Sequence, residues 1–299
     1  MATNGSSEED AVLLDNLVFA FSSDQTAVLR GIDLHLKQGS RCLLVGANGA
    51  GKSTLLQILA GKRLTKGKAK VLGQDPFRKT PAGVTYLGTE WANNPVVRSD
   101  LGVAHFLDSV GGYRHKERRD RLLDILDVDL KWHMHQISDG ERRRVQIVSG
   151  LMAPWTLLLL DEVTVDLDVL VRTKLLAFLR EECDTRGATV CYATHIFDGL
   201  DSFPTHVCHI QLGKTTTPAP LLWPFKGEPE GVPAGVLDRM NDPNRAGSRL
   251  LELALAWLAE DKEERKKLEE AGEEGFSKRG ANSDPSDSES FYRKYDYGH

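Results

Sequence analysis

A glycine-rich run, Gly46-Ala47-Asn48-Gly49-Ala50-Gly51-Lys52-Ser53-Thr54, follows the apolar segment Cys42 to Val45 and leads into Leu55 to Ala60. Residues of these types in this order make a phosphate cradle between a strand and a helix. The glycines let the backbone wrap a polyphosphate, so that successive N–H groups and the helix N-terminus face the anion. Lys52 then reaches the β- and γ-phosphates, and Ser53 can hold Mg²⁺. A nucleoside triphosphate is the expected ligand. A second apolar run, Leu157 to Leu160, ends in the acids Asp161 and Glu162. Beside a triphosphate these have separate work: Asp161 to hold Mg²⁺ or its waters, Glu162 to take a proton from the attacking water. On its own such a pair is usually a turn or a helix cap; Lys52 makes the catalytic reading the stronger one.

These residues need a scaffold that buries strands on both faces. Ile32, Leu34 and Leu36 recur at period two, Gln38-Gly39 turns the chain, and Arg41 to Val45 is the strand before the cradle. Lys68 to Leu72 and Val84 to Leu87 are further strands, whereas Thr156 to Leu160, Ala188 to Ala193 and His206 to Leu212 are continuous apolar runs, as in a parallel sheet. Helical patterns separate several of them, so the fold class is α/β. Between residues 95 and 150 the composition shifts to helix formers, which predicts an inserted helical subdomain. There Lys116 to Leu126 carries Leu122, Leu123, Ile125 and Leu126 behind a basic turn, Arg118-Arg119-Asp120-Arg121, read as a solvated helix face.

The expected organisation is a flexible start over 1–10, an ATP-binding domain over 11–214, a proline- and glycine-rich linker over 215–248, a C-terminal helix over 249–275 and a disordered tail over 276–299. Arg249 to Glu270 reads as one helix, apolar in its first half and laced by Glu263, Glu264 and Lys267 in its second. At 299 residues and 40% hydrophobic content the chain can bury a sizeable core. A net charge of -5 argues against nucleic-acid binding by bulk electrostatics. Cys42, Cys183, Cys191 and Cys208 lack metal or redox spacing, which fits a reducing compartment. The polar, acidic N-terminus lacks the pattern of a secretory signal, and no segment approaches about 18 consecutive apolar residues. His133-x-His135 has metal-ligand residue types, but only an extended strand would put both on one side. No third ligand lies nearby in sequence, so a plain loop is expected there.

One further motif carries a resemblance. Ile137-Ser138-Asp139-Gly140-Glu141, followed by Arg142-Arg143-Arg144-Val145, resembles the signature of ABC-type ATPases, whose usual form is Leu-Ser-Gly-Gly-Gln. Ser138 also suits a helix cap with Glu141 at its third position, and the two roles are compatible. From Leu13 to Lys214 the family's elements follow in order: an aromatic, the phosphate loop, the signature, the acidic strand, Val165-Asp166-Leu167-Asp168, and Thr194-His195. The chain is identified as a member of this family, most similar to soluble plant ABC transporter I proteins and a related yeast regulatory protein.

The resemblance implies a nucleotide-binding domain with a P-loop α/β core, an antiparallel β subdomain and an inserted helical subdomain. It implies that Phe21 stacks on adenine, that Asp168 lies at a dimer seam, and that His195 contacts the γ-phosphate. It also implies two chains paired head to tail, with Ser138 and Gly140 of each serving the ATP on the other's Lys52. A homodimer is the simplest closure. Two departures stand out. Thr89-Glu90-Trp91 occupies the place of the family's metal- and transporter-coupling glutamine, and Asp139 and Glu141 add negative charge to the signature. The leading reading is a regulatory ATPase of the cytoplasm and also the nucleus, with the 249–270 helix as a partner surface. The ATPase subunit of a multi-subunit transporter and a nucleotide-gated binding module are the alternatives.

Overall fold

The computed structural model describes residues 10–22, 24–65, 67–79, 81–88, 90–91, 95–216, 220–227, 229–242 and 247–276. The expected flexible start and most of the expected tail, residues 1–9 and 277–299, lie outside the described residues. In chain order the elements are β1 (Asp10–Phe19), β2 (Leu29–Lys37), β3 (Arg41–Val45), α1 (Lys52–Leu59), β4 (Lys68–Val71) and β5 (Val84–Leu87). Then come α2 (Val103–Ser109), α3 (Lys116–Leu126), α4 (Asp139–Leu151), β6 (Leu157–Asp161), α5 (Val169–Arg186) and β7 (Thr189–Ala193). The last are β8 (His206–Gln211), β9 (Lys214–Thr215), β10 (Leu221–Leu222), α6 (Val236–Asn241) and α7 (Arg249–Glu270).

The strands join one sheet in the order β4-β1-β2-β9-β8-β3-β7-β6-β5, with β10 added at β8. Its β8-β3-β7-β6-β5 half is parallel, and its β4-β1-β2 half is antiparallel. The short β9 joins the two, parallel to β2 and antiparallel to β8.

The pleat explains the continuous apolar runs. Leu158 and Leu160 of β6 face one core, and Leu157 and Leu159 face the other. In β3 Leu43 and Val45 take the first side while Cys42 and Leu44 take the second, and Val190 and Tyr192 of β7 oppose Cys191 and Ala193 in the same way. Both faces are apolar because helices or the curled antiparallel half cover each of them. All four cysteines are buried free thiols that pack as small hydrophobes.

In three places the packing departs from the sequence reading. The basic turn is a solvated face only at Arg121: Arg118 and Arg121 of α3 lie over the Phe178 ring and pair with Glu182 and Glu181 of α5, and Arg119 pairs with Asp108 and Asp120. Acids on a neighbouring helix, invisible to local patterning, neutralise it. The expected linker carries β10 and α6, and Trp223, Val236 and Met240 sink into the core. Apolar residues sparse in sequence are enough when they land on one side. Phe276, assigned to the tail, is buried between Arg30 and Arg265, whose guanidinium groups lie 4.6 and 5.6 Å from its ring centre.

The C-terminal helix is also spent differently from expectation. Leu250, Leu253, Ala254 and Trp257 of α7 are buried on the chain's own core, so these residues of its apolar face are not available to a partner. Leu253→Ala is therefore expected to cost about 2–5 kcal/mol of stability through transfer and cavity terms. Leu255→Ala, two positions on but 55% exposed, should cost less than about 0.5 kcal/mol. Urea denaturation of the full chain compares the two; equal midpoint shifts would mean that α7 is not docked.

Candidate functional site

β3 ends at Val45, and the phosphate loop turns at once into α1. A side chain on Gly46 would lie 2.2 Å from the Ile210 carbonyl oxygen of β8, so only glycine passes there. Gly51, the residue before α1, has φ 101°, and a Cβ on it would strike Leu29 at 2.5 Å. α1 has no side-chain cap, leaving its first N–H groups aimed into the loop. Lys52 opens the helix and is buried, its Nζ donating to the carbonyls of Gly46 at 2.6 Å and Ala47 at 3.1 Å. Burial lowers its pKa, and the carboxylates of Glu162, Asp161 and Asp261 pull the other way.

Asp161 closes β6 and is almost fully buried. Ser53 Oγ donates to its Oδ1 at 3.0 Å and the Tyr86 hydroxyl to its Oδ2 at 3.4 Å. Burial raises its pKa; the Ser53 bond opposes this and neighbouring Glu162 adds to it. Two hard oxygen donors, Ser53 Oγ and Asp161 Oδ1, thus stand side by side beside Lys52, a set that suits Mg²⁺. Glu162 has φ 53°, an uncommon backbone state for a glutamate, held by its N–H to the Ala193 carbonyl at 2.9 Å. That turn brings its carboxylate 3.4 Å from Nδ1 of His195, which follows β7.

Phe21 follows β1 and is 52% exposed, with the Arg63 guanidinium 4.7 Å from its ring centre. Arg63 also donates to Gln57, Gln57 donates to Glu90 at 2.6 Å, and Lys62 pairs with Glu90 at 2.9 Å. Glu90 therefore holds α1 and the residues just after it; Thr89 lies outside the described residues.

The signature forms the start of α4. Ser138 caps it in a reciprocal box: Glu141 N donates to Ser138 Oγ, while Ser138 N and Oγ donate to Glu141 Oε2 at 2.8 and 2.7 Å. The added acids do not stand free, because Asp139 pairs with Arg98 and Arg142. The Ser138 bonds hold the Glu141 carboxyl below the usual range. A Cβ on Gly140 would sit 3.4 Å from the Asp166 carbonyl oxygen, so the signature rests against the loop ahead of α5. There Asp168 caps α5 through Val171 N at 3.0 Å and receives Arg144 of α4 at 2.9 Å.

One element of the site was not read from sequence. Asp261 of α7 is buried beside the loop: its Oδ2 accepts the Ala47 N–H at 3.2 Å and its Oδ1 faces His209 Nε2 at 2.8 Å. A carboxylate only accepts, so Nε2 carries the hydrogen. Trp257 stacks on the His209 ring at 4.7 Å, fixing the pair from above. The signal was present, since Leu250, Ala254, Trp257 and Asp261 fall on one helical stripe and an acid at a core position demands a partner. Between the loop and α7 lies a cavity of about 710 Å³ bordered by Asn48, Gly49, Leu258, Lys262 and Lys266.

Comparison with known proteins bears on this arrangement. The ABC transporter family matches residues 29–165. CCR4-associated factor 16 of Saccharomyces cerevisiae is 46% identical over 221 residues, covering 68% of this chain and 76% of that protein. ABC transporter I family member 21 of Arabidopsis thaliana is 41% identical over 276 residues, 88% of this chain and 91% of its own length. Among solved structures, the ATP binding subunit of an ABC transporter aligns with a TM-score of 0.62 at 20% identity, covering 71% of this chain and 90% of that one. A dimeric bacterial ABC transporter cassette aligns with a TM-score of 0.59 at 18% identity, covering 69% and 97%. This chain belongs to the ABC transporter ATPase family and carries its ATP-binding domain.

Two outcomes are expected. Asp261→Ala should weaken ATP affinity about tenfold, the equivalent of one hydrogen bond to a charged group. Fluorescent-nucleotide titration measures this, and unchanged affinity would make the α7 contact incidental to the loop. Glu141→Gln keeps the capping partner but removes one negative charge, so ATP-driven association should occur at several-fold lower nucleotide, measured by light scattering.

Proposed function

We propose that this chain binds and hydrolyses ATP at composite sites of a head-to-tail homodimer, in a regulatory and not a transporting role. The pairing of Ser53 with Asp161 beside Lys52, with Glu162 and His195 alongside, carries the reading.

On nucleotide entry Lys52 exchanges the Gly46 and Ala47 carbonyls for β- and γ-phosphate oxygens. The N–H groups at the start of α1 and of Gly49 to Thr54 wrap the same anion, and Phe21 stacks on adenine with Arg63 on its ring. Ser53 and Asp161 would hold Mg²⁺, which when bound neutralises charge on the β- and γ-oxygens. Glu162 takes a proton from water as that water's oxygen bonds to the γ-phosphorus and the bond to ADP breaks. His195, set by Glu162, donates toward the γ-phosphate. The partner's Ser138 and Gly140 close the site from the other side, which its capping hydroxyl and α4 N-terminus are suited to do. The dimeric bacterial cassette supports this closure by analogy of fold.

Two observations favour regulation. The relatives above include a CCR4-associated factor, so a partner assembly of that kind is the proposed target, in cytoplasm and nucleus. Glu90, at the place of the coupling glutamine, is occupied with Gln57 and Lys62. The transporter-subunit reading rests on the family and on fold neighbours of that kind. Membrane co-fractionation with a polytopic protein that raises turnover would decide for it.

Glu162→Gln should keep ATP binding, lower turnover by about 10² or more, and trap a dimer with ATP and Mg²⁺. Lys52→Ala should abolish nucleotide binding. Sizing chromatography and steady-state turnover test both; a Glu162→Gln chain that stays monomeric or turns over normally defeats the proposal.

A further inference from the structure

Two histidines without a third ligand in sequence acquire one in the fold. Residues 132–134 pair antiparallel with residues 101–103: Val103 N donates to Trp132 O and Met134 N to Leu101 O, each at 2.8 Å, and Gly102 bridges His133. Past the bridge the chain turns, with Gln136 N donating to the His133 carbonyl at 2.9 Å. The turn buries Met134 and leaves His133 and His135 together on the outside. Asp100, adjoining the paired segment, meets both. Its Oδ1 lies 2.8 Å from His133 Nδ1 and 3.2 Å from His135 Nδ1.

We infer that Asp100, His133 and His135 form a site for a divalent transition-metal ion of the zinc class. Two imidazoles and a carboxylate are the donor types such ions take, and calcium or magnesium would call for oxygens. One ligand atom from each residue lies within 4.8 Å of the others. Bonds of about 2.1 Å in a tetrahedron set ligand atoms about 3.4 Å apart, so the two imidazole–carboxylate spacings need open only slightly to admit an ion. Three protein ligands leave the fourth position to water or to a donor from another molecule. Exposed ion pairs contribute little to folding, so stability alone gives no reason for these three donors to converge.

The backbone around the trio is held firmly and leads to the signature. Arg142 of α4 donates to the carbonyls of Met134 and Ile137, which flank His135 and precede Ser138. An ion bound there ties the Asp100 segment to the turn that enters the signature helix.

Equilibrium dialysis of the full chain against Zn²⁺ with a chromophoric zinc indicator, without nucleotide, tests the site. About one equivalent should bind, be lost in His133→Ala and in Asp100→Asn, and persist in His195→Ala, which removes the imidazole beside Glu162. Unchanged thermal melting of His133→Ala separates loss of a ligand from loss of fold. Copper electron paramagnetic resonance gives an independent reading, with coupling to two imidazole nitrogens expected in wild type and that two-nitrogen signal lost in His133→Ala. A wild-type chain that binds no more zinc than the His133→Ala, His135→Ala double variant overturns the inference. So does an equivalent that disappears with His195→Ala.

Discussion

The parallel ladder of β3, β7 and β6 is the constraint on which the rest depends. Each of these strands is buried on both faces, and an unpaired polar group inside them would be costly. Chemistry is therefore confined to their ends, and a parallel arrangement sends those ends to one edge. Leu44, Ala193 and Asp161 pair across the sheet in a single row. The phosphate loop, His195 and the two acids leave from that row, so residues far apart in sequence converge without long connecting segments.

Convergence gathers buried charge, and the site is organised by its compensation. Lys52, Asp161 and Asp261 are nearly inaccessible to water, and each is matched: Lys52 by loop carbonyls, Asp161 by Ser53 and Tyr86, Asp261 by His209 and Ala47 N. A buried carboxylate left without such bonds would destabilise the fold by more than its pairing contributes. The C-terminal helix is thus continuous with the glycine-rich loop, not an appendage to it. Trp257, stacked on His209 and donating to the Gly231 carbonyl at 2.9 Å, links the same helix to the segment after β10.

The signature shows one set of residues serving two purposes. Ser138 and Glu141 satisfy the first N–H groups of α4 and present that helix end at the surface, where a partner's phosphate would meet it. Arg142 and Arg143 then fasten the helix to its surroundings, Arg143 reaching the Gly88 carbonyl at 2.9 Å next to the segment that holds Glu90. Arg144 binds Asp168 at the far side. The signature helix is in contact with the segment after β5 and with the loop between β6 and α5.

Local chemistry by itself determined the phosphate loop, the strand before it, the acids that end β6 and the cap at Ser138. Each depends on residues adjacent in the chain: glycines that permit a backbone path, period-two burial, a hydroxyl three residues from its partner acid. The order of motifs likewise determined the family. What only the tertiary structure decided were pairings across sequence distance. Asp261 reaches Ala47 because one helical stripe docks on the sheet beside the loop, and Asp100 reaches His133 and His135 because Gly102 bridges His133 at the head of a turn. The arginines of α3 lie against the acids of α5, and Trp223, Val236 and Met240 join the core. Side-chain hydrogen bonds and ion pairs act over a few ångströms of space, whatever the separation along the chain, so their partners exist only once the sheet has brought the segments together.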